Sequence, residues 1–194
     1  MRIIGFTGGI GSGKSTVLKA LKDMYDADII MADELGHLAM EKGSKTYNCM
    51  VESFGERILN SEGEIDRGSL AKVLFSDEKM LEKQNSIVHP FVKEKIREML
   101  CESGKNGKSI AAVESAIMFE SGCDKFCQEV WLVSAPSHIR IERLIRDRGY
   151  SYEKAEEFIK RQKSDDEYMK LCNKVIINDG DIENIYKQLR KYIE

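Results

Sequence analysis

Residues 8–15 read GGIGSGKS and fill every position of the spacing G-x-x-x-x-G-K-S/T. The pattern points to phosphate chemistry. Glycines let the backbone curl until several N–H groups aim inward at phosphate oxygens, and the start of a following helix adds a favourable dipole. Gly9, Gly11, Ser12 and Gly13 would form the cradle, with Thr16 serving the helix start. Lys14 is placed to hold the β- and γ-phosphates of a nucleoside triphosphate, and Ser15 to put its hydroxyl on Mg²⁺. A Gly-rich turn that merely caps a helix would not need all of these positions at once.

What becomes of the triphosphate depends on residues elsewhere, because phosphoryl transfer relies on positioning and charge neutralisation more than on covalent chemistry. Asp33, in IIMADELGHLA, follows an apolar run and falls at the carboxyl end of an expected strand, where ligands meet parallel sheets. It fits two roles: orienting and deprotonating an attacking hydroxyl or arranging Mg²⁺, or capping the next helix. Arg140, Arg143, Arg146 and Arg148 fit either a group that gathers transition-state charge or a solvated face paired with Glu142, Asp147 and Glu153. His89, just before Pro90, fits a packed residue or a substrate contact.

These residues need a scaffold, and the hydrophobic pattern supplies one. Ile3-Ile4 and the runs ADIIM (27–31), SIAAVES (109–115), EVWLVS (129–134) and KVIIN (174–178) are short and rich in β-branched residues. Separated by helical segments, they predict an α/β fold: a P-loop NTPase core with a five-stranded parallel sheet flanked by helices. Val17, Leu18, Leu21 and Met24 recur at helical spacing, as do Ile182, Ile185, Leu189 and Ile193 behind a capping Asp181. Two stretches depart from simple alternation. Residues 40–104 predict a helical insertion around the turn-like SEGEIDRG, and residues 137–168 predict two amphipathic helices joined at Gly149 that act as a mobile lid. The core is then 1–39, 105–136 and 169–194.

Bulk composition narrows the partners. A net charge of -3 gives no general attraction to nucleic acid. No apolar run approaches the length of a membrane span. The five cysteines are scattered, follow no secretory leader and lack metal-ligand spacing, so reduced packing thiols in the cytoplasm are expected.

Several stretches together resemble the dephospho-CoA kinase family. IIGFTGGIGSGKST and ADELGH are similar to that family's opening and acidic motif, which carries its catalytic Asp onto Asp33. FGERIL, GEIDRGSLAKVLF and NSIVHPFV resemble its acceptor-binding region, with Arg67, His89 and Pro90 at matching positions. VIINDG resembles a segment beside the adenine, which implies Asn178 and Gly180 as nucleotide neighbours. The lid resemblance implies Arg143 as the phosphate-facing arginine, with Lys14 and Asp33 as its catalytic companions. Met31, Glu114, Ala116 and Ile177 depart from the family's usual Asp, Asp, Pro and Asp.

The resemblance implies ATP as donor with Mg²⁺, and dephospho-CoA as acceptor through its ribose 3′-hydroxyl. Arg67 and His89 would contact the acceptor, in a monomer or weak homo-oligomer with no nucleic-acid or membrane partner. Two alternatives remain at this point. One is a kinase of similar core acting on another nucleotide or small metabolite. The other is a GTPase switch, against which Ile176 stands where N-K-x-D requires a guanine-reading Asp.

Overall fold

The computed structural model describes the backbone of residues 1–194 and every side chain except those of Phe75, Ser76 and Glu78. The chain divides into two compact units, Met1–Ile30 with Leu100–Glu194, and Met31–Met99.

The first unit is built on the apolar runs. They form β1 (Arg2–Thr7), β2 (Asp28–Met31), β3 (Ile110–Glu114), β4 (Glu129–Ser134) and β5 (Lys174–Ile177), in the order β2-β3-β1-β4-β5. β1 runs parallel to β3 and β4, and β4 parallel to β5. Every residue of β3 is buried, and so are Ile4 and Phe6 of β1 and Val130 to Val133 of β4. Burial of consecutive residues means that both sheet faces are covered, which explains runs without polar alternation. β1 occupies the middle of the sheet, so whatever follows its carboxyl end lies at the centre of the edge where α/β proteins hold ligands.

The helices of this unit follow their apolar spacing. In α1 (Lys14–Tyr25), Val17, Leu18 and Leu21 are buried, and a short α6 (Met118–Ser121) lies between β3 and β4. In α10 (Ile182–Ile193), Ile185 and Leu189 are buried, and the Asp181 side chain accepts from Glu183 N–H. Residues 137–168 contain α7 (Ser137–Arg148), which ends at Gly149, and α8 (Tyr152–Lys160), capped by Ser151. A third helix, α9 (Asp165–Met169), follows, begun by a reciprocal capping box between Ser164 and Glu167. Five residues are too short for apolar periodicity to register, so α9 was not expected.

Within the second unit, α2 (Ala32–Ala39), α3 (Lys45–Phe54) and α4 (Arg67–Ser76) precede α5 (Glu78–Lys105), which continues beyond it. The segment between α3 and α4 closes through an isolated antiparallel bridge, Leu59 to Ile65. Asn60 Oδ1 holds its turn by accepting from the N–H groups of Glu62 and Glu64.

The thiols correct one expectation. Cys123 is buried, and Cys127 and Cys172 are half-buried, but Cys49 and Cys101 are exposed. Each of these two falls on the polar side of its helix, where a small apolar residue is tolerated without a packing role. No helix among the described residues is long and apolar enough to cross a membrane.

Candidate active site

Residues 8–15 leave the carboxyl end of β1 and turn into α1, as the motif requires. Two glycines leave room for side chains that brace the loop. A Cβ on Gly9 would lie 2.2 Å from Arg140 Nη2, so the guanidinium seats directly on the loop backbone. Gly13 has φ 81°, a left-handed conformation that L side chains adopt with strain, and its Cβ would lie 2.2 Å from Asn178 Nδ2.

The loop is braced from three sides. Arg143 of α7 donates to the carbonyls of Gly11 and Ser12, both at 3.1 Å, and to Asn178 Oδ1 at 2.9 Å. Asn178, which follows β5 and is 1% exposed, donates to Ser12 O at 2.9 Å. Arg140 Nε donates to Ile10 O at 2.8 Å, and its Nη1 lies 3.8 Å from Asp165. Asp165 in turn accepts from Ser134 Oγ at the end of β4. Burial pushes the Arg140 guanidinium below its ordinary value, opposed by the Asp165 charge. Burial also lowers Arg143, with help from Arg146.

These braces occupy the carbonyls of Ile10, Gly11 and Ser12, the loop groups that would repel an anion. Ser12 Oγ and Thr7 Oγ1 are buried without a hydrogen-bond partner among the described residues. A buried hydroxyl left unpaired is costly, and one inside a cradle of amides fits a phosphate-bearing ligand. Lys14 Nζ donates to Gly8 O at 2.9 Å and lies 3.5 Å from the buried carboxylate of Glu114, at the end of the neighbouring strand β3. Ser15 and Thr16 are exposed in the first turn of α1. The Ser15 hydroxyl and the Glu114 carboxylate are hard oxygen donors, the chemistry that suits Mg²⁺.

The structure therefore gathers Gly9, Gly11, Ser12, Gly13, Lys14, Arg143 and Asn178 into one constellation. Gly180 follows Asn178 in the turn that leads to α10. Of the four arginines, Arg140 and Arg143 touch the loop, whereas Arg146 pairs with its neighbour Asp147, and both of those are exposed. Arg140 and Gln162 were not singled out from sequence as loop contacts, although the i, i+3 spacing of Arg140 and Arg143 puts them on one face of α7.

In the second unit, Asp33 lies in the first turn of α2. The N-cap there is Met31, so Asp33 does not serve as the cap. Arg67 and His89 line separate cavities. Arg67 borders one of about 190 Å³ with His37, Lys42 and Glu64. His89 borders one of about 490 Å³ with Asn85, Ser86, Lys93 and Arg97, the last ion-paired with Glu94. Burial and the Lys93 charge hold the His89 imidazole below its usual range, which favours its neutral form.

A phosphate-binding loop at the end of the central strand of a parallel sheet, with arginines packed over it, defines a P-loop phosphotransferase. Comparison with known proteins narrows the class. The family model for dephospho-CoA kinase matches residues 2–184, and the chain belongs to that family. It is 37% identical over 186 residues to the dephospho-CoA kinase of Dehalococcoides mccartyi, covering 95% of this chain and 92% of that one. A crystal structure from Thermus thermophilus superposes with a TM-score of 0.85 at 29% identity, covering 99% and 96% of the two chains. The dephospho-CoA kinase of Campylobacter jejuni shares the fold, with a TM-score of 0.71 at 23% identity over 100% and 96%.

Proposed function

We propose that this chain moves the γ-phosphoryl group of ATP to the ribose 3′-hydroxyl of dephospho-CoA, giving CoA and ADP, the last step of coenzyme A synthesis. The observation that carries this reading is the family match across residues 2–184, which spans the phosphate loop and the helical unit alike.

The loop amides and Lys14 bind the donor, and Lys14 exchanges its contact with Glu114 for phosphate oxygens as the nucleotide enters. Arg143, anchored on the loop carbonyls, keeps positive charge beside the phosphates. Asp33 orients the acceptor hydroxyl and takes its proton as the new P–O bond forms and the bond from Pγ to the ADP oxygen breaks. Ser15 and Glu114 are the residues that would hold Mg²⁺, which with ATP bound neutralises charge on the phosphates. In the helical unit, the cleft lined by His89 and Lys93 offers the Lys93 cation to the anionic acceptor, and Arg67 a further one. The lid segment, residues 137–168, limits access of water as a competing acceptor.

Transfer of label from γ-labelled ATP tests this. Label should appear as a 3′-phosphate on dephospho-CoA, with little in AMP or inorganic phosphate. Label recovered mainly on AMP, or released as phosphate at the same rate with and without dephospho-CoA, would contradict it.

A further inference from the structure

The crest of the phosphate loop is held by more than its motif. Ile10 is gripped at both of its backbone polar groups: its N–H donates to Gln162 Oε1 at 2.7 Å, and its C=O accepts from Arg140 Nε at 2.8 Å. Arg140 Nη2 also donates to Gln162 Oε1, at 3.2 Å, so the same oxygen ties the loop to α7. The Ile10 side chain packs on the cluster of Ile141, Leu144 and Ala155, which joins α7 to α8. Gln162 itself lies between α8 and α9, remote in sequence from the loop.

A residue fixed at its N–H, its C=O and its side chain cannot rotate freely. The curl of residues 8–13 has five glycine or serine positions and one bulky residue, and that residue is the one clamped. The entropy of ordering such a flexible loop would otherwise weigh against ligand binding, and fixing it beforehand improves affinity without adding a contact to the ligand.

We propose that Gln162 is a positioning residue for the nucleotide: by holding the Ile10 peptide against α7 it preorganises the phosphate loop, so that donor affinity depends on the segment between α8 and α9. This rests on reading the loop as an ATP site, and the test separates the two.

Calorimetric titration of the full chain with ATP and Mg²⁺, without acceptor, is compared for the native protein, Gln162→Leu and Gln162→Glu. Leucine keeps much of the bulk but removes the acceptor oxygen; glutamate keeps an oxygen for Ile10 N–H and Arg140. Loss of one half-buried acceptor shared by two donors corresponds to a fall in ATP affinity of up to roughly tenfold. The expected result is that fall in Gln162→Leu, mirrored in KM for ATP, with KM for dephospho-CoA within about twofold of native and the melting temperature within about 3 °C. Gln162→Glu should recover most of the loss. Native ATP affinity in Gln162→Leu would overturn the proposal, as would equal losses for both substrates with no recovery in Gln162→Glu. Absence of ATP binding by the native chain would instead overturn the nucleotide reading itself.

Discussion

Asn178 offers a quantitative test of how the site is held together. Its side chain is 1% exposed, donates to Ser12 O at 2.9 Å and more weakly to Gly13 O at 3.3 Å, and accepts from Arg143 at 2.9 Å. Asn178→Ala removes all three contacts and leaves the backbone bond from its N–H to Ser134 O in place. A neutral amide-to-carbonyl bond contributes about 1 kcal/mol and one to a charged group about 1.5–3 kcal/mol. Arg143 is half-buried and recovers part of its hydration, so the lower end applies, about 2–3 kcal/mol in total. For a chain of this length that corresponds to a fall in melting temperature of roughly 4–12 °C. ATP affinity should fall with it, because the carbonyls of Ser12 and Gly13 lose the group that turns them away from the cradle. Thermal melting followed by calorimetric titration with ATP reads both quantities. Asn178→Asp should fare no better than alanine, since it keeps the Arg143 contact but sets a carboxylate against two carbonyls. A melting temperature within about 1 °C of native, with unchanged ATP affinity, would show that these contacts contribute nothing and would refute the reasoning.

Two further outcomes follow from titrating groups. His89 is held below its ordinary value of 6.5 by burial and Lys93, so between that value and its folded-state value the unfolded chain binds more protons and stability rises with pH. Denaturation midpoints should therefore fall as pH drops below about 6.5, and His89→Gln should flatten that dependence; an unchanged slope would contradict it. Burial pushes the Cys127 thiol up to about 12, with a contribution from Cys123 and Asp124, and the Cys172 thiol up to about 11. Alkylation at pH 8, read by peptide mass, should modify exposed Cys49 and Cys101 well before either; early labelling of Cys127 in folded protein would count against its burial.

The legible part of this protein was the part with strong local signals. β3 and β4 each bury four consecutive apolar residues, 110–113 and 130–133, so they stood out from helices. The phosphate loop was legible because it needs particular residue types at adjacent positions. The bracing of that loop was not. Arg140 reaches Ile10 across 130 positions and Gln162 across 152, and a hydrogen bond between such distant residues leaves no periodic trace in either segment. Asn178 shows the same limit: resemblance placed it beside the nucleotide, whereas the structure shows its side chain bonded to the loop and to Arg143. Helix α9 was invisible because its stability lies in a capping box rather than an apolar stripe.

The central claim, acceptor-specific phosphoryl transfer with Asp33 as proton acceptor, is tested most directly by coupled ADP release from ATP and Mg²⁺. The native chain and Asp33→Asn are each assayed with no acceptor, with dephospho-CoA and with AMP. Release should require dephospho-CoA and fall by about 10²–10⁴-fold in kcat in Asp33→Asn, with ATP affinity unchanged. Equal release with AMP, or an Asp33→Asn protein that turns over dephospho-CoA at the native rate, would contradict the account.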